Sequence, residues 1–248
     1  MYQIEQLCNL FEVAQKTVFF TGAGISTESG IADFRSPGGI WSQIEPIQYS
    51  DFLADEDVRL EDWCRRFQFQ REFDVAMPND GHIFVSDFLK TGRGLGVITQ
   101  NIDGLHQRAG VPDERIVEIH GNGTKAACLE CSHPMALSQA KELIQSRGVA
   151  PCCELCNGLV KASVISFGQP MPQERVAMAK QYAETCDLFV VLGSSLVVQP
   201  AASIPLIAQR NGAKLVIVNR EPTHLDRAAD LVLYASIGET LKQVQSLS

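Results

Sequence analysis

The sequence predicts an α/β fold built on a doubly wound parallel sheet, and three observations predict it. Short runs rich in β-branched and aromatic residues recur along the 248 residues. Most of these runs are continuous rather than alternating, as in strands covered on both faces. Helix-like segments separate several of them, the order expected of strands and crossover helices. Two stretches break the rhythm and read as insertions.

In chain order, Thr17–Phe20 reads as the first strand and ends at the glycine-containing segment Thr21-Gly22-Ala23-Gly24-Ile25-Ser26. Residues from Gly39 to Asn79 show no strand and carry Trp41, Trp63, Phe67, Phe69 and Phe73, which reads as an inserted helical lobe. His82 opens the next helix-like segment, where a capping or packing role is expected. Val97–Thr99 and Ile116–Ile119 read as strands. Residues Gly121 to Leu159 hold five of the eight cysteines and read as a small metal-stapled module. Val164–Phe167, Leu188–Leu192, Leu215–Val218 and Leu231–Tyr234 complete the strands. Pro172–Thr185 and Pro200–Asn211 read as helices, with Gly212 a stop for the second. The expected division is one domain, 1–248. Its core spans about 1–38, 80–120 and 159–248, the helical insertion about 39–79, and the cysteine module about 121–158.

Apolar residues make up 45% and charged residues 20%, which suits a chain that buries a core and argues against disorder. The net charge of −8 repels a phosphate backbone, so no direct nucleic-acid partner is expected. No basic segment followed by an apolar stretch opens the chain, and no apolar run approaches the roughly 20 residues of a membrane span. A cytoplasmic location and no membrane partner follow as expectations. Nothing in the sequence specifies an oligomeric state.

In a reducing compartment, spaced cysteine pairs point to metal rather than disulfides. Cys128-x2-Cys131 and Cys152-Cys153-x2-Cys156 supply two knuckles, and four thiolates suit a tetrahedral structural zinc, as in a zinc ribbon. Cys153 repeats the spacing of the first knuckle, so the ligand set reads Cys128, Cys131, Cys153 and Cys156. Cys8, Cys64 and Cys186 lie in apolar segments and read as buried packing residues.

Glycines at 22 and 24 suit close approach to a pyrophosphate at a helix start, as in Rossmann-like sheets. The third glycine of that fingerprint is replaced by Thr27, and no acidic residue ends a second strand as in dinucleotide dehydrogenases. Asp33-Phe34-Arg35 reads as part of a lid over a ligand. Gln100, Asn101, Ile102 and Asp103 follow one strand, and His120 follows the next. Gly193-Ser194-Ser195 and Asn219-Arg220-Glu221 follow two more. All fall at carboxyl ends of strands, where open α/β sheets bind ligands. An imidazole there can take a proton from a hydroxyl near neutral pH. His106 reads as structural.

Taken together, GAGIS, SGIADFR, TQNIDGLH, HGN, the paired cysteines, GSSLVVQPA and VNRE resemble the sirtuin family across roughly residues 4–245. The resemblance implies a prokaryotic-type, single-domain NAD-dependent protein lysine deacylase, most simply a deacetylase, with NAD as co-substrate and zinc as a structural metal. Its partner would be an acyl-lysine protein or peptide. It implies that Gly22, Ala23, Gly24, Ile25, Asp33, Phe34, Arg35 and Trp41 contact the cofactor. Gln100, Asn101, Ile102 and Asp103 would line the nicotinamide pocket. Gly193, Ser194, Ser195, Asn219, Arg220, Glu221 and Ile237 would hold the adenosine half. It further implies that the acyl oxygen attacks the nicotinamide ribose carbon, with His120 then the base toward a ribose hydroxyl and Asn101 at the leaving-group end. A mono-ADP-ribosyltransferase, an NAD hydrolase and a non-catalytic NAD sensor would share that pocket. Ala32 stands where the family usually has proline, and Gln169 where it usually has glutamate. Trp63-Cys64-Arg65-Arg66 is the nearest match to the Tyr-x-x-Arg of members that remove acidic acyl groups; it lacks the tyrosine and keeps an arginine.

Overall fold

The computed structural model describes residues 2–33, 39 and 44–247. Six strands form a parallel sheet: β1 (Thr17–Thr21), β2 (Gly94–Thr99), β3 (Ile116–Glu118), β7 (Leu188–Leu192), β8 (Lys214–Val218) and β9 (Leu231–Leu233). Their order across the sheet is β3-β2-β1-β7-β8-β9. The chain starts in the middle, runs to one edge, then returns to build the other half. The switch point lies between β1 and β7, and the carboxyl edge there is where doubly wound sheets bind ligands.

Continuous apolar runs are explained by burial on both faces. Successive side chains of a strand point to opposite faces. Phe19, Val190, Leu192, Val216 and Val218 join a core with Leu7, Phe11, Phe84, Phe88 and Leu241. These belong to α1 (Tyr2–Val13), α4 (Asp80–Lys90) and α9 (Ile237–Leu247). Val18, Phe20, Phe189, Val191 and Ile217 join the opposite core with Ala179, Ala183, Ile204 and Ala208. Those helical residues come from α7 (Gln173–Thr185) and α8 (Ile204–Arg210). On the first face Phe11, Phe19, Phe84 and Phe88 form an aromatic cluster of tilted, edge-on and stacked pairs with ring centroids 5.1–6.4 Å apart. Such pairs add about 0.5–1.5 kcal/mol each beyond their burial.

The remaining elements sit over the carboxyl side. Helices α2 (Tyr49–Ala54) and α3 (Glu56–Val75) form the helical lobe, and Asp55 caps α3 by accepting from Asp57 N. The short helix α5 (Leu105–Arg108) follows the β2 loop. Strands β4 (Gly121–Cys128), β5 (Pro134–Met135) and β6 (Val160–Val164) form a small antiparallel sheet, covered by α6 (Leu137–Arg147). Trp63 of α3 is fully buried against this module and stacks on Phe67 at 5.6 Å.

The strand expected at Val164–Phe167 is displaced. The strand is Val160–Val164, and it pairs with β4 in the small sheet instead of joining the parallel one. Apolar character marks burial but not the partner; here Gly121, at φ +85, turns the chain so that β4 meets β6. The glycine segment after β1 is also not the start of an α-helix. It forms two 3₁₀ turns, Ala23–Ile25 and Thr27–Ser29, with Gly30 at φ +86 ending the second. Cys8 and Cys186 are buried as expected, but Cys64 is exposed, because it lies on the outer face of α3. Gly212 sits at φ +92 just past α8, the left-handed stop expected there. No helix among the described residues is long and apolar enough to cross a membrane.

Candidate active site

The carboxyl ends of the strands open into a cavity of about 1020 Å³. Its floor comes from the loops after β1, β2, β3, β7 and β8, and its roof from α3 and the segment 164–171.

The loops after β1 and β7 are locked together backbone to backbone. Gly24 N donates to Gly193 O at 2.8 Å, Gly22 N to Leu192 O at 3.1 Å, and Gly193 N to Val218 O at 2.9 Å. A Cβ on Gly22 would lie 2.6 Å from Gly193 O, and one on Gly24 would lie 2.7 Å from Gly193 Cα. These glycines are therefore required by contact between two loops of the protein. That requirement stands apart from the approach of a phosphate, which alone had explained them. Ala23 lines the cavity beside them, whereas Ile25 is fully buried in the core and does not.

The loop after β2 is pinned from several sides. Gln100 Nε2 donates to Ser194 Oγ at 2.7 Å, bridging the β2 and β7 loops over β1. Asn101 Nδ2 donates to Gly22 O at 3.0 Å and to Ser26 Oγ at 3.1 Å. Asp103 accepts from Ser26 Oγ at 2.7 Å and from Leu105 N at 2.9 Å. Burial raises the pKa of Asp103, and these two hydrogen bonds pull it back. Ile102 lines the cavity between them.

His120 follows β3 and is half-buried in the cavity wall. Its Nδ1 lies 3.1 Å from Gln100 O. A carbonyl oxygen only accepts, so Nδ1 carries the proton and the neutral ring keeps its basic lone pair on Nε2. Only glycine fits at 121, because a Cβ there would collide with the Ser163 carbonyl. Asn122 braces the turn, donating to Glu118 Oε1 at 2.5 Å and accepting from Thr124 N at 2.8 Å.

Gly193, Ser194, Ser195, Asn219, Arg220, Glu221 and Ile237 all reach the cavity, as does Asp33. Asn219 Nδ2 is tied to Glu221 O at 2.7 Å. Phe34, Arg35 and Trp41 lie outside the described residues. The sequence pointed to Gln169 and Arg66 only through the family resemblance. It offered no sign that Asp62, Phe69, Phe73, Val164 or Ile165 also line the cavity, because they belong to a helix and a strand end remote in sequence. Ile165 N donates to His120 O at 2.9 Å, and Tyr49 N to Phe167 O at 2.8 Å, which fixes this wall against both the β3 loop and the helical lobe. Arg66 is buried, and desolvation lowers its pKa despite nearby Asp62.

His82 is a capping residue: Asn79 N donates to its Nδ1 at 3.4 Å, while Asn79 accepts from Gly81 N at 3.0 Å. Burial lowers its pKa to about 4.

In the module, the sulfurs of Cys128, Cys131, Cys153 and Cys156 lie within 4.8 Å of one another. Three pairs are 3.4–3.6 Å apart, close to the ~3.8 Å edge of a tetrahedron with Zn–S near 2.3 Å. The two knuckles match in backbone geometry. Ser132 N donates to Cys128 O and Asn157 N to Cys153 O, and both residues take φ +60 just after the second cysteine. Cys152 is exposed and outside the cluster, with its backbone bridged to Leu159. The donor set fits zinc and leaves no protein-free position on a four-coordinate ion.

A model of the Sir2 family matches residues 22–200. An NAD-dependent protein deacetylase of Rhodopseudomonas palustris is 49% identical, over 96% of this chain and 94% of that protein. An NAD-dependent protein deacylase 2 of Archaeoglobus fulgidus is 37% identical, over 98% and 94%. The solved structure of Sir2Tm bound to a propionylated peptide superposes with a TM-score of 0.87 at 34% identity, covering 99% of this chain and 98% of that one. A Sir2–p53 peptide–NAD+ structure superposes at 0.83, with 34% identity and 98% of each chain.

Proposed function

This chain belongs to the Sir2 family, and we propose that its cavity is the active site of an NAD-dependent protein lysine deacylase acting on acetyl-lysine. One observation carries the reading. A single cavity brings the interlocked glycine loops, the Gln100–Asp103 loop and a tautomer-fixed His120 onto one wall, with the segment from Val164 to Gln169, exposed at Phe167 and Gly168, facing them.

Bound NAD supplies an electrophilic ribose carbon with nicotinamide as its leaving group. The chain's own residues do the rest. Gly22, Ala23 and Gly24 present backbone to the diphosphate, and Asp33, Phe34, Arg35 and Trp41 are assigned to the cofactor by the family resemblance. Gln100, Asn101, Ile102 and Asp103 hold the nicotinamide and its ribose, Asn101 at the leaving-group end. Gly193, Ser194, Ser195, Asn219, Arg220, Glu221 and Ile237 hold the adenosine half. His120 Nε2 takes a proton from a ribose hydroxyl, and the Gln100 carbonyl stabilises the protonated ring through Nδ1–H. An acyl-lysine peptide lies along Val164–Gln169, with the acyl chain toward Arg66 and Phe73. Cys128, Cys131, Cys153 and Cys156 hold zinc, which cross-links the module. We assign the core to about 1–38, 80–120 and 159–248, the helical insertion to about 39–79 and the cysteine module to about 121–158. The metal-type cysteine cluster is the arrangement expected of a reducing, cytoplasmic setting, which we assign to this chain.

The test is incubation with acetyl-lysine peptide and NAD, followed by mass spectrometry. Deacylation that needs NAD and releases nicotinamide one-for-one is expected. Deacylation that is equal without NAD overturns the reading. ADP-ribose on unmodified protein, without deacylation, would replace it with transferase activity.

A further inference from the structure

Beneath the Gln100–Asp103 loop a chain of hydrogen bonds leaves Asn101 by two arms, and both arms end at α5. The side-chain arm runs from Asn101 Nδ2 to Ser26 Oγ at 3.1 Å, on to Asp103 Oδ2 at 2.7 Å, and from Asp103 Oδ1 to Leu105 N at 2.9 Å. The backbone arm runs from Asn101 N to Thr99 Oγ1 at 3.0 Å, to Thr21 Oγ1 at 2.8 Å, and to His106 Nε2 at 2.9 Å. His106 follows Leu105 in the same helical turn, so the two arms close a ring around Asn101. Thr21 and Thr99 are partners at the ends of neighbouring strands, which sets their hydroxyls side by side. Thr21, Thr99 and His106 are at most 3% exposed. Away from water such bonds are stronger and more directional than on a surface.

The donor directions close consistently. Thr21 Oγ1 donates to Thr99 Oγ1, whose two lone pairs are then filled by Thr21 O–H and Asn101 N–H. His106 must therefore donate from Nε2 to the Thr21 oxygen. Its Nδ1 is then a bare lone pair with no hydrogen-bond partner, a cheaper orphan than a buried N–H. Burial, with His82 5.0 Å away ring to ring, holds the His106 pKa well below its ordinary value and keeps the ring neutral.

We propose that His106, acting through Thr21 and Thr99, is a positioning residue that sets the backbone of Asn101 and so aims its side chain at the leaving group. This rests on the proposed role of Asn101 in nicotinamide release. The experiment measures nicotinamide exchange with acetyl-lysine peptide, the peptide Kd and Tm for each variant. His106→Phe is expected to lower exchange about tenfold, the effect of roughly one buried hydrogen bond, with the peptide Kd unchanged. His106→Gln, whose amide N–H can reach Thr21, is expected to restore most of the rate. Thr99→Val cuts the same arm with an isosteric side chain and should lose exchange likewise. In an Asn101→Ala background, His106→Phe should add no further loss, since it acts only through Asn101. The proposal is overturned if Phe and Gln at 106 lose exchange equally, if Thr99→Val exchanges at the wild-type rate, or if the losses at 101 and 106 multiply. A wild-type protein that releases no nicotinamide would instead overturn the deacylase reading, and this assignment with it.

Discussion

At the scale of single residues, His120 is the group whose chemistry the geometry defines most fully. Its Nδ1 is committed to the Gln100 carbonyl, so a base role falls to Nε2. His120→Ala is expected to reduce deacylation by about 10²–10⁴-fold, the usual contribution of a general base, and to keep nicotinamide exchange and NAD affinity. Asn101→Ala is expected to lose exchange itself. Parallel exchange and deacylation assays, with melting as a control, check that split; equal loss of both with early melting would make His120 structural. Gly193 makes a second prediction. It sits at φ +66, and a Cβ there would lie 2.7 Å from Gly24 Cα. Gly193→Ala should therefore cost at least about 1–3 kcal/mol of stability and weaken NAD binding, while zinc content holds. Denaturant titration and metal analysis would show it. His120 and the Gln100–Asp103 loop were legible in the sequence because their chemistry is concentrated in a few adjacent residues. The tautomer of His120 was not, since it depends on a carbonyl that folding brings from 20 positions away.

At the scale of elements, the cysteine module shows how spacing and packing divide the work. The repeated x2 spacing selects Cys153 over Cys152, and the cluster contains Cys153. Cys153→Ser should lose most bound zinc and destabilise the module, because metal binding and folding are coupled there. Cys152→Ser should retain about one zinc per chain. Zinc analysis and thermal melting of the two variants decide between the ligands. The strand β6 was harder to place. Its apolar residues announce burial, but the same pattern serves a parallel sheet or a small antiparallel one. The choice was made by the Gly121 turn and by the pairing of Gly121 with Val164. The 3₁₀ turns after β1 were equally hidden, because a glycine-containing segment suits either a helix start or a loop packed on another loop.

At the scale of the whole molecule, buried histidines set a pH dependence. The pKa of His82 is lowered by burial to about 4 in the folded chain, against an ordinary value near 6.5. Above pH 6.5 the ring is neutral folded and unfolded, and stability is unaffected. As pH falls below 6.5 the unfolded chain binds the proton first, and stability drops until the folded pKa is reached. The full loss is about 3 kcal/mol. His106 acts in the same direction, and Asp103, whose pKa is raised, acts in the opposite one. The urea midpoint should therefore fall between pH 7 and pH 5. His82→Gln, which keeps a capping-box side chain without titrating, should flatten that slope; an unchanged slope would remove His82 as its source.

By itself the sequence determined the doubly wound sheet, the four-cysteine cluster and the residues at the strand ends, because each is encoded locally. Two-faced burial writes continuous apolar runs, a metal knuckle writes its spacing, and parallel strands deliver their following residues to one edge. The tertiary structure alone decided which of those residues meet. The strand order β3-β2-β1-β7-β8-β9 puts the β1 and β7 loops at the switch point. There Gly22 and Gly24 are needed to seat Gly193, and Gln100 can reach Ser194. It also moved Ile25 into the core, exposed Cys64, and joined His106 to Asn101 through two threonines. Each of these is a relation between segments far apart in the chain, and the free energy of packing, not any local pattern, selects it.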